Sequence, residues 1–241
     1  MVQQLEKKEE EILAPDISNL ITEDDTPVDN FCSEKQQRFL TSSIYSAKAG
    51  ETFVAAANVG IYHNLGEPAI VPDVFLSLDV ETPRNWWEKA HRCYLVWEFG
   101  KVPEVVIEIV SNKVGEELGK KLEIYQKMRV SYYVVYDPAN HLSESKLRIF
   151  EIRGSKYFET EQTWLDQVGI GLTLWEGEFE GIKDFWLRWC DGGGNILLTG
   201  DERAKEAENR ATEAENRATE AENRARRLAE QLRALGVEPE Q

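Results

Sequence analysis

The sequence predicts an α/β (α+β) fold, a mixed central β-sheet flanked by helices and followed by a long C-terminal α-helix. Three observations carry that reading. Short β-rich runs bounded by Gly, Pro or Asp recur through the middle of the chain. Residues 105–136 read as strand, helix, strand, the pattern of a crossover unit joining two parallel strands. A near-perfect heptad fills the last forty residues. With 241 residues, 41% of them hydrophobic, the chain is long enough for one sizeable core plus an appendage and short for two full domains.

Residues 1–30 hold nine acids against Lys7 and Lys8, and form an acidic, poorly packed arm with one amphipathic turn around Leu5, Ile12 and Leu13. From Ser33 to Ala47, Phe39, Leu40, Ile44 and Tyr45 recur at helical spacing, with Ser33 as N-cap and Gly50 as the stop. Strands follow at 52–59, 74–78 and 105–110. Residues 116–128 form a helix with Leu118, Leu122, Tyr125 and Met128 on one face, and 132–136, closed by Asp137-Pro138, is a strand buried on both sides. Residues 147–152 and 157–160, separated by Gly154-Ser155, make an antiparallel hairpin. The sheet domain thus spans 31–190, and the glycines in Asp191–Asn195 open a Gly-rich linker over 191–200.

After the linker, Ala-Glu-Asn-Arg-Ala-Thr-Glu occupies 207–213, repeats at 214–220 and begins again at 221. Alanine or leucine falls at 204, 207, 211, 214, 218, 221, 225, 228, 232 and 235, steps of three and four that define a coiled-coil seam over 201–236 and predict a homo-oligomer. Alanine buries little surface, so association leans on Leu228, Leu232 and Leu235; the competing reading is a solvated single helix.

The formal charge is −16, which rules out a broad basic surface holding nucleic acid by counterion release, so any contact with DNA phosphate is local. No run approaches the roughly 18 apolar residues of a membrane span, and the first residues lack the order of a signal peptide, so the chain is expected in the cytoplasm and away from membranes. Cys32, Cys93 and Cys190 are scattered and odd in number, which speaks against a disulfide framework or a thiolate zinc site; His63, His91 and His141 are equally dispersed.

Chemistry is carried by carboxylates in unusual places. Glu108 interrupts the apolar strand 105–110, on the same face as Val106 and Val110, so it either points to solvent or is held inside by a partner charge or a metal. Asp73, after Pro72, lies at the start of another strand, or is simply a turn residue after proline. Together with the carbonyl of Ile109, these two acids would supply the oxygen ligands that Mg²⁺ prefers. Helix geometry selects the accompanying lysine: at about 100° per residue, Lys121 falls within roughly 45° of the apolar face and Lys120 about 145° away. A lysine beside such a pair orients water and stabilises charge on phosphorus, unless its stem merely lies along the core with its head in water.

The order Pro72-Asp73, Ile107–Ser111, Gly119–Tyr125 and Tyr132–Pro138 resembles the PD-(D/E)XK restriction-endonuclease-like superfamily and, within it, the endonucleases of the Uma-two family, a domain of unknown function abundant in cyanobacteria. The resemblance covers roughly 25–190; the runs 175–181 and 186–190 and the heptad tail are similar to cyanobacterial members. One departure stands out: the usual Glu-X-Lys would put lysine at 110, where this chain has Val110, and the family resemblance places the amine on the following helix, at Lys121. The resemblance implies Mg²⁺-dependent hydrolysis of DNA phosphodiesters, with Mn²⁺ as a substitute: Asp73 and Glu108 hold the metal, Lys121 positions water, and Glu34 on the first helix joins the metal site. A non-catalytic scaffold working through its coiled coil is the alternative. Trp86, Trp87 and Trp97, interleaved with Lys89, His91 and Arg92, would stack exposed bases or, as the favoured reading, pack inside; packing is favoured more strongly still for Trp175, Trp186 and Trp189.

Overall fold

A computed structural model describes residue 16 and residues 30–85, 87–111 and 116–235. The expected N-terminal arm, apart from Asp16 and Asn30, and Trp86 lie outside the described residues. Two compact units divide between Leu197 and Leu198.

The first unit opens with α1 (Phe31–Ala47). Asn30, not Ser33, is its N-cap: the Asn30 side chain accepts from the Ser33 amide at 3.0 Å, so the cap lies three residues earlier than expected. Then come β1 (Phe53–Ala57), β2 (Ile61–Tyr62), β3 (Val74–Leu78), a 3₁₀ turn at Lys89–His91, β4 (Tyr94–Leu95), the single turn α2 (Val96–Phe99) and β5 (Val105–Ile109). A wide turn at Glu117–Lys121, where Gly119 leaves helical geometry, leads into α3 (Leu122–Met128). The remaining strands are β6 (Tyr132–Tyr136), β7 (Leu147–Arg153), β8 (Lys156–Thr160), β9 (Trp164–Leu165), β10 (Ile170–Phe179) and β11 (Ile182–Cys190).

The main sheet has the order β1-β3-β5-β6-β7-β8. Only β5 and β6, joined through α3, run parallel; the other neighbours are antiparallel. This is the crossover expected for 105–136. Both central strands are buried along their whole length, which explains their nearly unbroken apolar sequence. One face of the sheet packs Ile107, Val134 and Tyr136 against Leu40 and Ile44 of α1 and against Leu172, Leu187 and Trp189. The other packs Val106, Tyr133 and Val135 against Tyr125 and Met128 of α3.

Leu172, Leu187 and Trp189 belong to a second sheet, β11-β10-β9, which the sequence pattern does not announce. Its hairpin closes on Glu180-Gly181, both at positive φ (48° and 79°), a two-residue turn of the kind that favours Asn-Gly. Glutamate is tolerated there because Lys35 and Arg38 of α1 bind its carboxylate. Gln36 of α1 satisfies the edge of β11, donating to the Leu187 carbonyl at 2.8 Å and accepting from the Leu187 amide at 3.0 Å, as a neighbouring strand would. The expected linker is shorter than read: Asp191 accepts from the amides of Gly193 and Asn195, and Leu197 donates to the Trp189 carbonyl, which folds 191–197 back on the first unit.

The second unit contains α4 (Gly200–Ala234), with a capping box of Thr199 and Glu202. No helix among the described residues is long and apolar enough to cross a membrane.

Candidate active site

The site forms where β3 begins and β5 ends. The antiparallel register pairs Val74 with Ile107 and Phe75 with Val106, so one step further Asp73 stands opposite Glu108 on the face shared with Val106. The Asp73 carboxylate is held by two donors from distant parts of the chain: the Ile109 amide at 2.6 Å and Gln37 Nε2 of α1 at 2.9 Å. Gln37 also accepts from Asn58 Nδ2 at 2.9 Å. Asn58 ends β1 at φ 54°, a left-handed conformation that Asn adopts more readily than most residues.

Glu108 is 0% exposed. Lys121 Nζ lies 2.8 Å from its Oε2, and the Tyr125 hydroxyl donates to Oε1 at 2.8 Å. Lys121 and Tyr125 sit four residues apart and therefore reach the same carboxylate from one face. Of the two sequence readings for Glu108, the inward one describes its position, with Lys121 as the partner charge. Lys121 is the inward lysine; Lys120 is exposed and faces Glu116 at 3.7 Å. A second counter-charge, Glu117, places Oε1 3.6 Å from Lys121 Nζ, while its buried Oε2 has no hydrogen-bond partner among the described residues.

Burial pushes the Glu108 carboxyl up to about 8; the charge of Asp73 acts in the same direction, and Lys121 and Tyr125 against it. Burial is the largest influence on the Lys121 ammonium and acts to lower it, but the charge and hydrogen bond of Glu108, with the charges of Glu117 and Asp73, together shift the lysine upward. Burial and the Glu108 charge hold the Tyr125 phenol well above its ordinary value, so it remains a donor.

The structure thus brings together Asp73, Glu108, Lys121 and the Ile109 backbone. It does not bring Glu34 with them. Glu34 is exposed and paired with Arg38 Nε at 2.8 Å, one turn along its own helix; the α1 side chain that reaches Asp73 is Gln37. Gln37 was legible as a polar residue in line with the apolar stripe of Leu40 and Ile44, and Tyr125 as the residue four after Lys121; neither signal says what the side chain touches. Trp87 is 84% exposed, against the favoured packing, whereas Trp186 and Trp189 are buried.

The donor set suits a hard divalent cation. Mg²⁺ takes oxygen ligands and keeps several waters, so two carboxylates are a sufficient protein contribution, and Glu108 retains acceptor capacity beyond its two hydrogen bonds. Among the described residues no group of three or more His, Cys, Asp or Glu is gathered to hold a metal.

The mixed sheet thus sets two acids opposite each other at the ends of adjacent strands, with a lysine on the crossover that follows. Residues 9–167 match the family model of Uma2, described as "Putative restriction endonuclease", and the chain belongs to that family. This membership supports a nuclease. Among solved structures, a "putative nuclease belonging to DUF820" from Anabaena variabilis is similar, at 15% sequence identity and a TM-score of 0.40, over 58% of this chain and 72% of the other. None of the curated proteins compared with the chain matches it.

Proposed function

We propose that the chain is a metal-dependent endonuclease that hydrolyses DNA phosphodiester bonds. Asp73, Glu108 and the Ile109 carbonyl would hold Mg²⁺, with Mn²⁺ as a substitute. The bound cation supplies Lewis acidity to the phosphoryl oxygens and to the departing 3′ oxygen. Lys121 orients the attacking water and stabilises negative charge growing on the phosphoryl group. Tyr125 and Lys121 fix the rotamer of Glu108; Gln37 and the Ile109 amide fix that of Asp73. Glu117 keeps the ammonium from turning away. Contact with DNA is local, and the exposed Trp87 ring is a platform on which an unpaired base would stack.

The observation that supports this reading most is that Lys121 Nζ lies 2.8 Å from a carboxylate with no exposure at all, itself across the strand pair from Asp73. The alternative, a docking protein on a nuclease-like fold, draws on the net charge of −16 and on α4. Purified protein incubated with supercoiled, linear and single-stranded DNA in Mg²⁺ or Mn²⁺ distinguishes them. Wild type is expected to nick the supercoiled form, and Glu108→Gln to lose about 10³-fold, since several kcal/mol of transition-state stabilisation go with the metal. Wild-type cleavage no greater than that of Glu108→Gln on every DNA form would leave the docking reading.

A further inference from the structure

None of the 35 residues of α4 is buried, and Leu228, Leu232 and Leu235 are 53%, 38% and 79% exposed. The helix therefore carries an ordered apolar line that is exposed among the described residues. With Ala204 at heptad position a, Glu208, Glu215 and Glu222 occupy e, and Arg210, Arg217 and Arg224 occupy g. These are the positions that flank a coiled-coil seam and select its partner and direction.

We infer that α4 pairs with α4 of a second copy of this chain, parallel and in register. In a parallel pair each g residue faces the e residue of the partner's following heptad, so Arg210 faces a glutamate at 215 and Arg217 one at 222, and every such contact recurs by symmetry. In an antiparallel pair g faces g and e faces e, which sets arginine against arginine and glutamate against glutamate. The charges thus select direction. They do not select register, because the heptad repeats almost unchanged from 207 to 225 and a slip of seven residues keeps the opposite charges matched. The leucines do. Only the unslipped pair keeps all three leucine layers; a slip of seven residues keeps one, Leu228 facing Leu235, and an antiparallel pair faces leucines with alanines, which leaves apolar surface wet.

The inference stands on α4 alone and is independent of the catalytic reading. The full-length wild type is expected to scatter light as twice the chain mass of 27.6 kDa, and Leu228→Ala combined with Leu232→Ala to return it to the single mass. Direction is read by mild oxidation of variants that carry one exposed cysteine in a Cys32→Ser background, Cys93 and Cys190 being buried. Ala221→Cys, near the middle of the seam, cross-links in either direction. Ala207→Cys cross-links only in the parallel, in-register pair, since antiparallel packing would set the two thiols about 37 Å apart along the helix. Cross-linking at both positions is the expected result. Cross-linking at 221 without 207 would overturn the direction, and the single-chain mass for wild type would overturn the pairing while leaving the cleavage assay to judge the active site separately.

Discussion

Lys121→Met is expected to destabilise the first unit by about 2 kcal/mol at pH 9.5 and by much less at pH 5, because above about pH 8 the wild-type Glu108 carboxyl ionises beside the ammonium, whereas without that partner it must keep its proton. Glu108 has no exposure and cannot move its charge into water. Its carboxyl is raised from an ordinary 4.5 to about 8 in the folded protein, so folding favours the protonated form. The stability this contributes is complete below about pH 4.5 and is lost as pH rises through about 8. Both proteins should therefore weaken alike across that window; above it the wild type, ionised beside Lys121, levels off, whereas the variant, whose carboxyl holds its proton longer, goes on weakening. At pH 5 the carboxyl holds its proton and has little need of the ammonium. Urea unfolding at the two pH values provides the measurement. An equal loss at both would mean that Lys121 acts through the packing of its stem and not through charge.

Trp189→Ala is expected to cost about 3–5 kcal/mol, the range for emptying a large buried aromatic site. Trp189 is 1% exposed, packs between the main sheet and α1, and donates its indole N–H to the Leu40 carbonyl at 3.1 Å. The variant thus combines a cavity with the loss of one hydrogen bond to the Leu40 carbonyl, which Ser43 Oγ still reaches at 3.2 Å. The turn it frees carries Gln37 three residues earlier, so the support of Asp73 should loosen along with the core. Trp87→Ala, the same change at a side chain 84% exposed, should stay within about 0.5 kcal/mol. Thermal unfolding of the pair separates the two environments, and comparable shifts in melting temperature would contradict the burial described for Trp189.

Much of the main sheet was legible because its signals are local. The strand expected at 74–78 is β3, the one at 132–136 is β6, and the hairpin turns on Gly154-Ser155 with Gly154 at φ 66°. The inward side of Lys121 followed from helical periodicity alone, and periodicity needs no knowledge of what lies across the gap. The second sheet escaped because β10 is half exposed and alternates weakly, and because its turn uses Glu180 where an asparagine would have signalled a hairpin. Glu34 misled for a related reason: an acid on the first helix matches the family pattern, but Arg38 lies within reach on the same helix and binds it.

The chain's own order of residues determined the type and sequence of the main strands, the seam of α4, and which carboxylates and lysine were out of place for an ordinary surface. Tertiary structure decided their partners: the register that sets Asp73 against Glu108, the reach of Gln37 from α1, and the hydroxyl of Tyr125 on a carboxylate seventeen residues away. The division has a physical cause. Backbone periodicity fixes the direction of a side chain from its immediate neighbours, whereas hydrogen bonds and desolvation depend on which distant segment arrives opposite, and that is settled only when the two faces of the sheet are packed.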